Sequence, residues 1–179
     1  VTFAAVHAQS KYWVGGSGDW SDAVHWSSTQ NGLGGAGVPR VNEDVWITSN
    51  TATSITLRNT AWCKSLSMDG SAAPIHIVGS AATDVNIGGG WSMQGDVSWN
   101  ATGPINLVVR REGVELDLRG RPIAADIVFS GNGSWSLISD LKTTGDLRLQ
   151  QGTLIGNQAR IDARALRVEG RGQKEFLAG

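Results

Sequence analysis

From Leu57 onward, aliphatic residues flanked by polar ones recur about every tenth position, through Leu66, Ile77, Ile87, Val97, Leu107, Leu116 or Leu118, Ile127, Leu137, Leu147, Leu166 or Val168, and Leu177. Around most of these the pattern alternates, as in Ser54-Ile55-Thr56-Leu57, Lys64-Ser65-Leu66-Ser67-Met68 and Asp146-Leu147-Arg148-Leu149. Successive side chains on a strand point to opposite faces, so each such segment has an apolar side and a polar side. Between the segments sit Asp69-Gly70-Ser71, Gly88-Gly89-Gly90, Ser130-Gly131-Asn132-Gly133 and Gln151-Gly152. These residue types tolerate the left-handed backbone of sharp corners. No apolar stripe with a helical period persists, and the pattern predicts an all-β chain.

Two architectures fit this rhythm. One is a β-sandwich of hairpins; the other is a parallel β-solenoid (β-helix) whose flattened coils each take two beats, about 20 residues. Sandwich hairpins often use two-residue Asn-Gly or Asp-Gly turns. Among the beats only Asp69-Gly70 and Asn132-Gly133 offer that dipeptide. The even spacing also lacks the long crossovers of a sandwich, which favours the solenoid. At 179 residues the chain is long enough for one domain of roughly six coils behind a cap.

The first residues differ in kind. Val1-Thr2-Phe3-Ala4-Ala5-Val6-His7-Ala8 reads as the end of a secretory signal, apolar and closing on small residues, so residues 1–10 are assigned to a signal remnant or tail. Residues 11–47 hold Tyr12, Trp13, Trp20, Trp26 and Trp46, threaded with Gly15-Gly16, Gly18, Gly32 and Gly34-Gly35. Short strands at 11–14 and 44–47 bracket a long loop, in which Asp22 is a good N-cap for one helical turn. A glycine-rich loop of this length folds only if large side chains bury against something, and a solenoid has an open apolar end to cover. Trp13, Trp20, Trp26 and Trp46 are therefore assigned to an N-terminal cap, with residues 48–179 forming the coils.

Charge and composition narrow the chemistry. With 15 basic and 16 acidic residues the formal net charge is −1, so no global field favours nucleic acid or an anionic membrane. No apolar run approaches the roughly 18 residues of a membrane span. Cys63 is the only cysteine, which excludes a disulfide framework and a thiolate metal cluster. His7, His25 and His76 have no HExxH or Ser-His-Asp setting, and Gly15-Gly16-Ser17-Gly18 lacks the Lys of a phosphate loop. Asp19, Asp22, Glu43 and Asp44 flank the cap loop and can supply oxygens to Ca²⁺, the one cofactor the sequence suggests; Asp22 and Asp44 serve equally as caps and turn formers. Arg110, Arg111, Glu112, Asp117, Arg119 and Arg121 can line a lyase- or hydrolase-like groove, although a 20-residue coil aligns Arg121 with Ala101 and Leu141 and not with other ionisable groups. Indoles stack on sugar rings, which makes Trp91, Trp99 and Trp135 candidates for binding a surface polysaccharide, with Trp13, Trp20, Trp26 and Trp62 as further members of such a platform.

The segment Trp13-x-Gly15-Gly16-x-Gly18-x-Trp20-Ser21-Asp22-x-x-His25-Trp26-Ser27, followed by Val38-Pro39, Asn42-Glu43-Asp44-Val45-Trp46-Ile47 and Ala61-Trp62-Cys63-Lys64-Ser65-Leu66, resembles a recurrent segment of large secreted surface proteins of the Bacteroidetes. Those include gliding-motility and adhesin-like substrates of the type IX secretion system. Gly133-Ser134-Trp135-Ser136-Leu137 and Leu147-x-Leu149-x-x-Gly152-Thr153-Leu154 extend the resemblance, which covers nearly all of the chain from Tyr12 to Gly179. It implies a secreted, non-enzymatic β-helical segment of an adhesin or surface filament, partnered by other segments of the same protein or by the secretion machinery, and continuing beyond Gly179. Family members often carry a Cys shortly before the Pro; here Gly35-Ala36-Gly37-Val38 lead into Pro39 without one. Cys63 is accordingly expected as a buried free thiol.

Overall fold

The computed structural model describes residues 9–178, so of the signal remnant or tail expected at 1–10, residues 1–8 lie outside the described residues, while Ser10 belongs to the first strand. The chain is a parallel β-solenoid of about 6 turns, with half its residues in strands. It is not a sandwich: among the described residues every strand pair but one is parallel, the exception being the cap pair β1 (Ser10–Trp13) and β3 (Trp26–Ser27).

Three short strands make a coil where the sequence rhythm suggested two. After β1, β2 (Gly18–Asp19) and β3, the first coil is β4 (Asp44–Thr48), β5 (Thr53–Leu57) and β6 (Ala61–Cys63). In the second and third coils the first two faces fuse into the long strands β7 (Ser65–Gly79) and β9 (Trp91–Trp99), followed by β8 (Val85–Ile87) and β10 (Ile105–Leu107). Then come β11 (Val114–Asp117), β12 (Pro122–Ile123) and β13 (Ile127–Phe129). The fifth coil is β14 (Ser134–Leu137), β15 (Leu141–Thr143) and β16 (Asp146–Leu149). The sixth is β17 (Gly152–Ile155), β18 (Ile161–Asp162) and β19 (Ala165–Val168), with β20 (Lys174–Leu177) stacked on β17. From Leu107 onward the ten-residue beat falls only on the first and third faces. It misses a strand per coil because the second face carries only two or three residues in later coils and has no alternation of its own to read.

The interior consists of columns of register partners, one residue per coil. On the third face Ala61, Val85, Ile105, Ile127, Leu147 and Leu166 form one column, and Cys63, Ile87, Leu107, Phe129, Leu149 and Val168 the next. Each coil buries the one before it, and a buried aliphatic side chain contributes about 1.5–3 kcal/mol. Where β7 and β9 pass the corner between the first and second faces, Gly70 lies beside Gly95. A Cβ on Gly70 would sit 2.2 Å from the Asp96 carbonyl oxygen, and Gly95 has φ +63° with the Ser71 nitrogen 2.1 Å from where its Cβ would be. Only paired glycines let the two corners stack.

Candidate functional site

The two ends of this core are built differently. At the N-terminal end β1 continues the ladder of β4 and β2 continues that of β5, so residues 10–19 lay a partial coil on the first full one. β3 then returns antiparallel to β1 over two residues and ends the ladder on a short edge. Inside, Trp13 stacks on His25 at 4.7 Å and meets Trp26 edge-on at 5.0 Å, and Trp20 packs edge-on to Trp26 at 4.8 Å. The Trp13 and Trp26 indole N–H groups donate to the carbonyls of Gly16 and Trp20, each at 2.7 Å. Asp22 caps a single 3-10 turn, Ala23–His25, accepting from the Val24 N–H at 3.0 Å. Lys11, itself buried, bonds the Ala36 carbonyl and pairs with Glu43 at 3.6 Å, which pins the glycine-rich loop across the cap.

Trp46 does not belong to this plug. It lies on β4 between the inward Val45 and Ile47, points outward and is 44% exposed. Because Asp44–Thr48 pairs in register with β7, the coils begin at Asp44 and not at residue 48.

At the C-terminal end the same columns break the surface. Leu147 and Leu149 are at most 1% exposed, while their partners Leu166 and Val168 are 50% and 62% exposed. On the first face Leu154 is buried and its partner Phe176 is 40% exposed. Ion pairs hold this last coil from outside. Asp146, buried on β16, accepts from Arg164 Nε at 2.7 Å and from Arg167 Nε. Asp126, one coil earlier, pairs with Arg148 at 2.7 Å and Arg164 at 3.7 Å. The hydrogen bonds from Arg164 and Arg167 hold the Asp146 carboxyl down to about 2.

The sugar-stacking set is corrected by burial. Trp91 stands in the column of Leu66 and Leu116, Trp99 between Ile77 and Ile123, and Trp135 between Val114 and Leu154. None is more than 1% exposed. Trp91 and Trp99 meet edge-on at 5.2 Å, and Trp135 meets Phe129 at 4.9 Å, so these rings fill the interior and offer no face to a ligand. The calcium set is corrected as well. Asp19 takes Ser21 and Arg58, Asp22 caps the 3-10 turn, Glu43 takes Lys11 and the Arg40 N–H, and Asp44 takes Lys64 and Ser65. Among the described residues no group of three or more His, Cys, Asp or Glu is placed to hold a metal ion.

The ionisable set proposed for catalysis is dispersed. Asp117 pairs with Arg119 at 3.0 Å, Arg121 reaches the Val97 carbonyl, and Arg110 and Glu112 line separate depressions. Cys63 is a buried free thiol in the third-face column, and burial pushes its pKa far up. His76 projects from the second face to the Ser98 hydroxyl at 2.7 Å. Among the described residues no helix is long and apolar enough to cross a membrane.

The two indoles left in water are Trp46 and Trp62, at 44% and 43% exposure, and each borders a depression. One, of about 840 Å³, runs from Trp62 past Val108 and Arg110 to Asn132 and Gln151. The other, of about 380 Å³, lies over Tyr12 and Trp46 on the outer side of the first face. Comparison of the chain with family models, with curated proteins and with solved structures finds no match to any of them.

Proposed function

We propose that this chain is a structural, rod-extending segment of a larger exported cell-surface protein, a spacer or adhesive stalk that performs no catalysis. The observation that carries the proposal is the contrast between a sealed end and an end whose interior columns stand in water. Coil-by-coil burial leaves the last layer of any solenoid uncovered unless something of the same shape follows, and one further β-coil of the rod fits Leu166, Val168 and Phe176 directly. The resemblance of Trp13 to Ser27 and of Ala61 to Leu66 to secreted Bacteroidetes surface segments supports placement outside the cell. Its partners are then neighbouring segments of the same protein and the export machinery.

The experiment is light scattering of residues 9–178 over a concentration series. With only one end open, two copies meet open end to open end and growth stops there, as for a two-fold symmetric contact. The expected mass rises with concentration toward that of a dimer. A monodisperse monomer at high concentration overturns the proposal.

A further inference from the structure

The exposed Trp46 has an aromatic partner in register. Tyr12 on β1 pairs with Trp46 on β4, which pairs with Ser67 on β7, which pairs with Ser92 on β9. Two residues along, Thr48, Asp69 and Gln94 form a second row on the same outer face. Neighbouring strands lie about 4.8 Å apart, so Tyr12 and Trp46 are neighbouring positions along the solenoid axis on one outer face, and the polar rows continue beyond them. Gln30 from the cap loop completes the depression.

These side chains match one kind of ligand. A pyranose offers an apolar C–H face and a rim of hydroxyls that both donate and accept. Tyr and Trp supply flat, rigid apolar area with few torsions to freeze. Glutamine amides donate and accept at once, and an ionised carboxylate accepts from two hydroxyls. Asp69 is held in that form by hydrogen bonds from Ser71. No Lys or Arg is among the lining residues, whereas the Trp62 depression has Arg110 and a single aromatic ring. The chemistry is that of an uncharged sugar.

We propose that the outer side of the first face binds a neutral oligosaccharide, stacked on Tyr12 and Trp46 and hydrogen-bonded by Gln30, Asp69 and Gln94. The site needs only the first coils and the cap, and it stands whether or not the rod role does.

The test is calorimetry and tryptophan fluorescence with cellohexaose, mannohexaose and chitohexaose, and with a galacturonic acid hexamer as the anionic comparator. At least one neutral hexamer is expected to bind, with affinity falling on the order of tenfold in Trp46→Ala, less in Gln94→Ala, and unchanged in Trp62→Ala. Trp46 and Gln94 both stand on the surface, so circular dichroism of the variants should match the parent. Absence of neutral-hexamer binding at millimolar ligand overturns the site. So does binding that survives Trp46→Ala together with Gln94→Ala, or that follows Trp62 or the anionic hexamer instead.

Discussion

At the N-terminal end Trp13, Trp20 and Trp26 are no more than 4% exposed, whereas at the C-terminal end Leu166 and Val168, which continue fully buried columns, are 50% and 62% exposed. The ends also use different forces. The cap gains its hold from three edge-packed indoles and a buried Lys11–Glu43 pair, and it closes the ladder with an antiparallel strand. The last coil leaves Leu166, Val168 and Phe176 partly exposed and is tied down by guanidinium groups on Asp146 and Asp126. The two ends of the solenoid therefore differ in kind: cap indoles cover one, and the other leaves its interior columns in water.

The largest expected effect comes from breaking the sealed end. Trp26 is fully buried, touches both other cap indoles and bonds the Trp20 carbonyl. Trp26→Ala should cost about 3–5 kcal/mol, the range for aromatic-to-alanine changes in a packed core. Because each coil leans on its neighbours, urea unfolding followed by hydrogen exchange should show loss of protection beginning at β1 and β4 while β14 and β16 hold. A cost under 1 kcal/mol would show that the cap indoles do not seal the core.

Most of this contrast was legible in the sequence, and the rule for reading it was alternation. In Val45-Trp46-Ile47 and Ala61-Trp62-Cys63 the apolar parity belongs to the neighbours, so the indole is outside; in Trp91-Ser92-Met93, Val97-Ser98-Trp99 and Trp135-Ser136-Leu137 the indole shares the apolar parity and goes inside. Residue type alone does not carry that distinction: read as indoles only, Trp91, Trp99 and Trp135 are sugar platforms and Trp46 is part of the plug, whereas their parity places the first three inside and Trp46 outside. The parallel solenoid and the plug formed by Trp13, Trp20 and Trp26 followed from the beat and the glycine-rich loop. The third strand per coil did not, because segments as short as Pro122–Ile123 carry no period. The Asp126, Asp146, Arg164 and Arg167 cluster was also invisible. Its members come together only once a coil of about 20 residues sets the register.

That cluster gives the second prediction, of smaller size. Asp146→Asn leaves the column residues untouched but removes the charge that holds Arg164 and Arg167. Amide exchange should accelerate in β19 and leave β4 and β7 unchanged; equal exchange throughout would show the last coil to be held by its backbone ladder alone. The sign with pH follows from the depressed carboxyl. Its folded value, about 2, lies below the unfolded value of about 3.9. The stabilisation is therefore complete above about pH 4 and is lost as pH falls through about 2, and in the parent β19 should loosen over that interval.

The smallest change in stability, and the sharpest in assembly, is expected at the open end. Leu166 and Phe176 are 50% and 40% exposed, so replacing either by serine forgoes only part of the burial a core leucine or phenylalanine would give, about 1 kcal/mol. The same change puts a hydroxyl on the layer that a second copy or a further coil would have to cover, where it would be buried without a partner. Leu166→Ser with Phe176→Ser should thus unfold within a few degrees of the parent yet stay monomeric at concentrations where the parent doubles its mass. If the double variant still dimerises, the contact lies elsewhere, and one candidate is the exposed ring of Trp62 on the third face. Trp62→Ala then decides between the two, since it stands five coils from the open end and cannot alter an end-to-end contact.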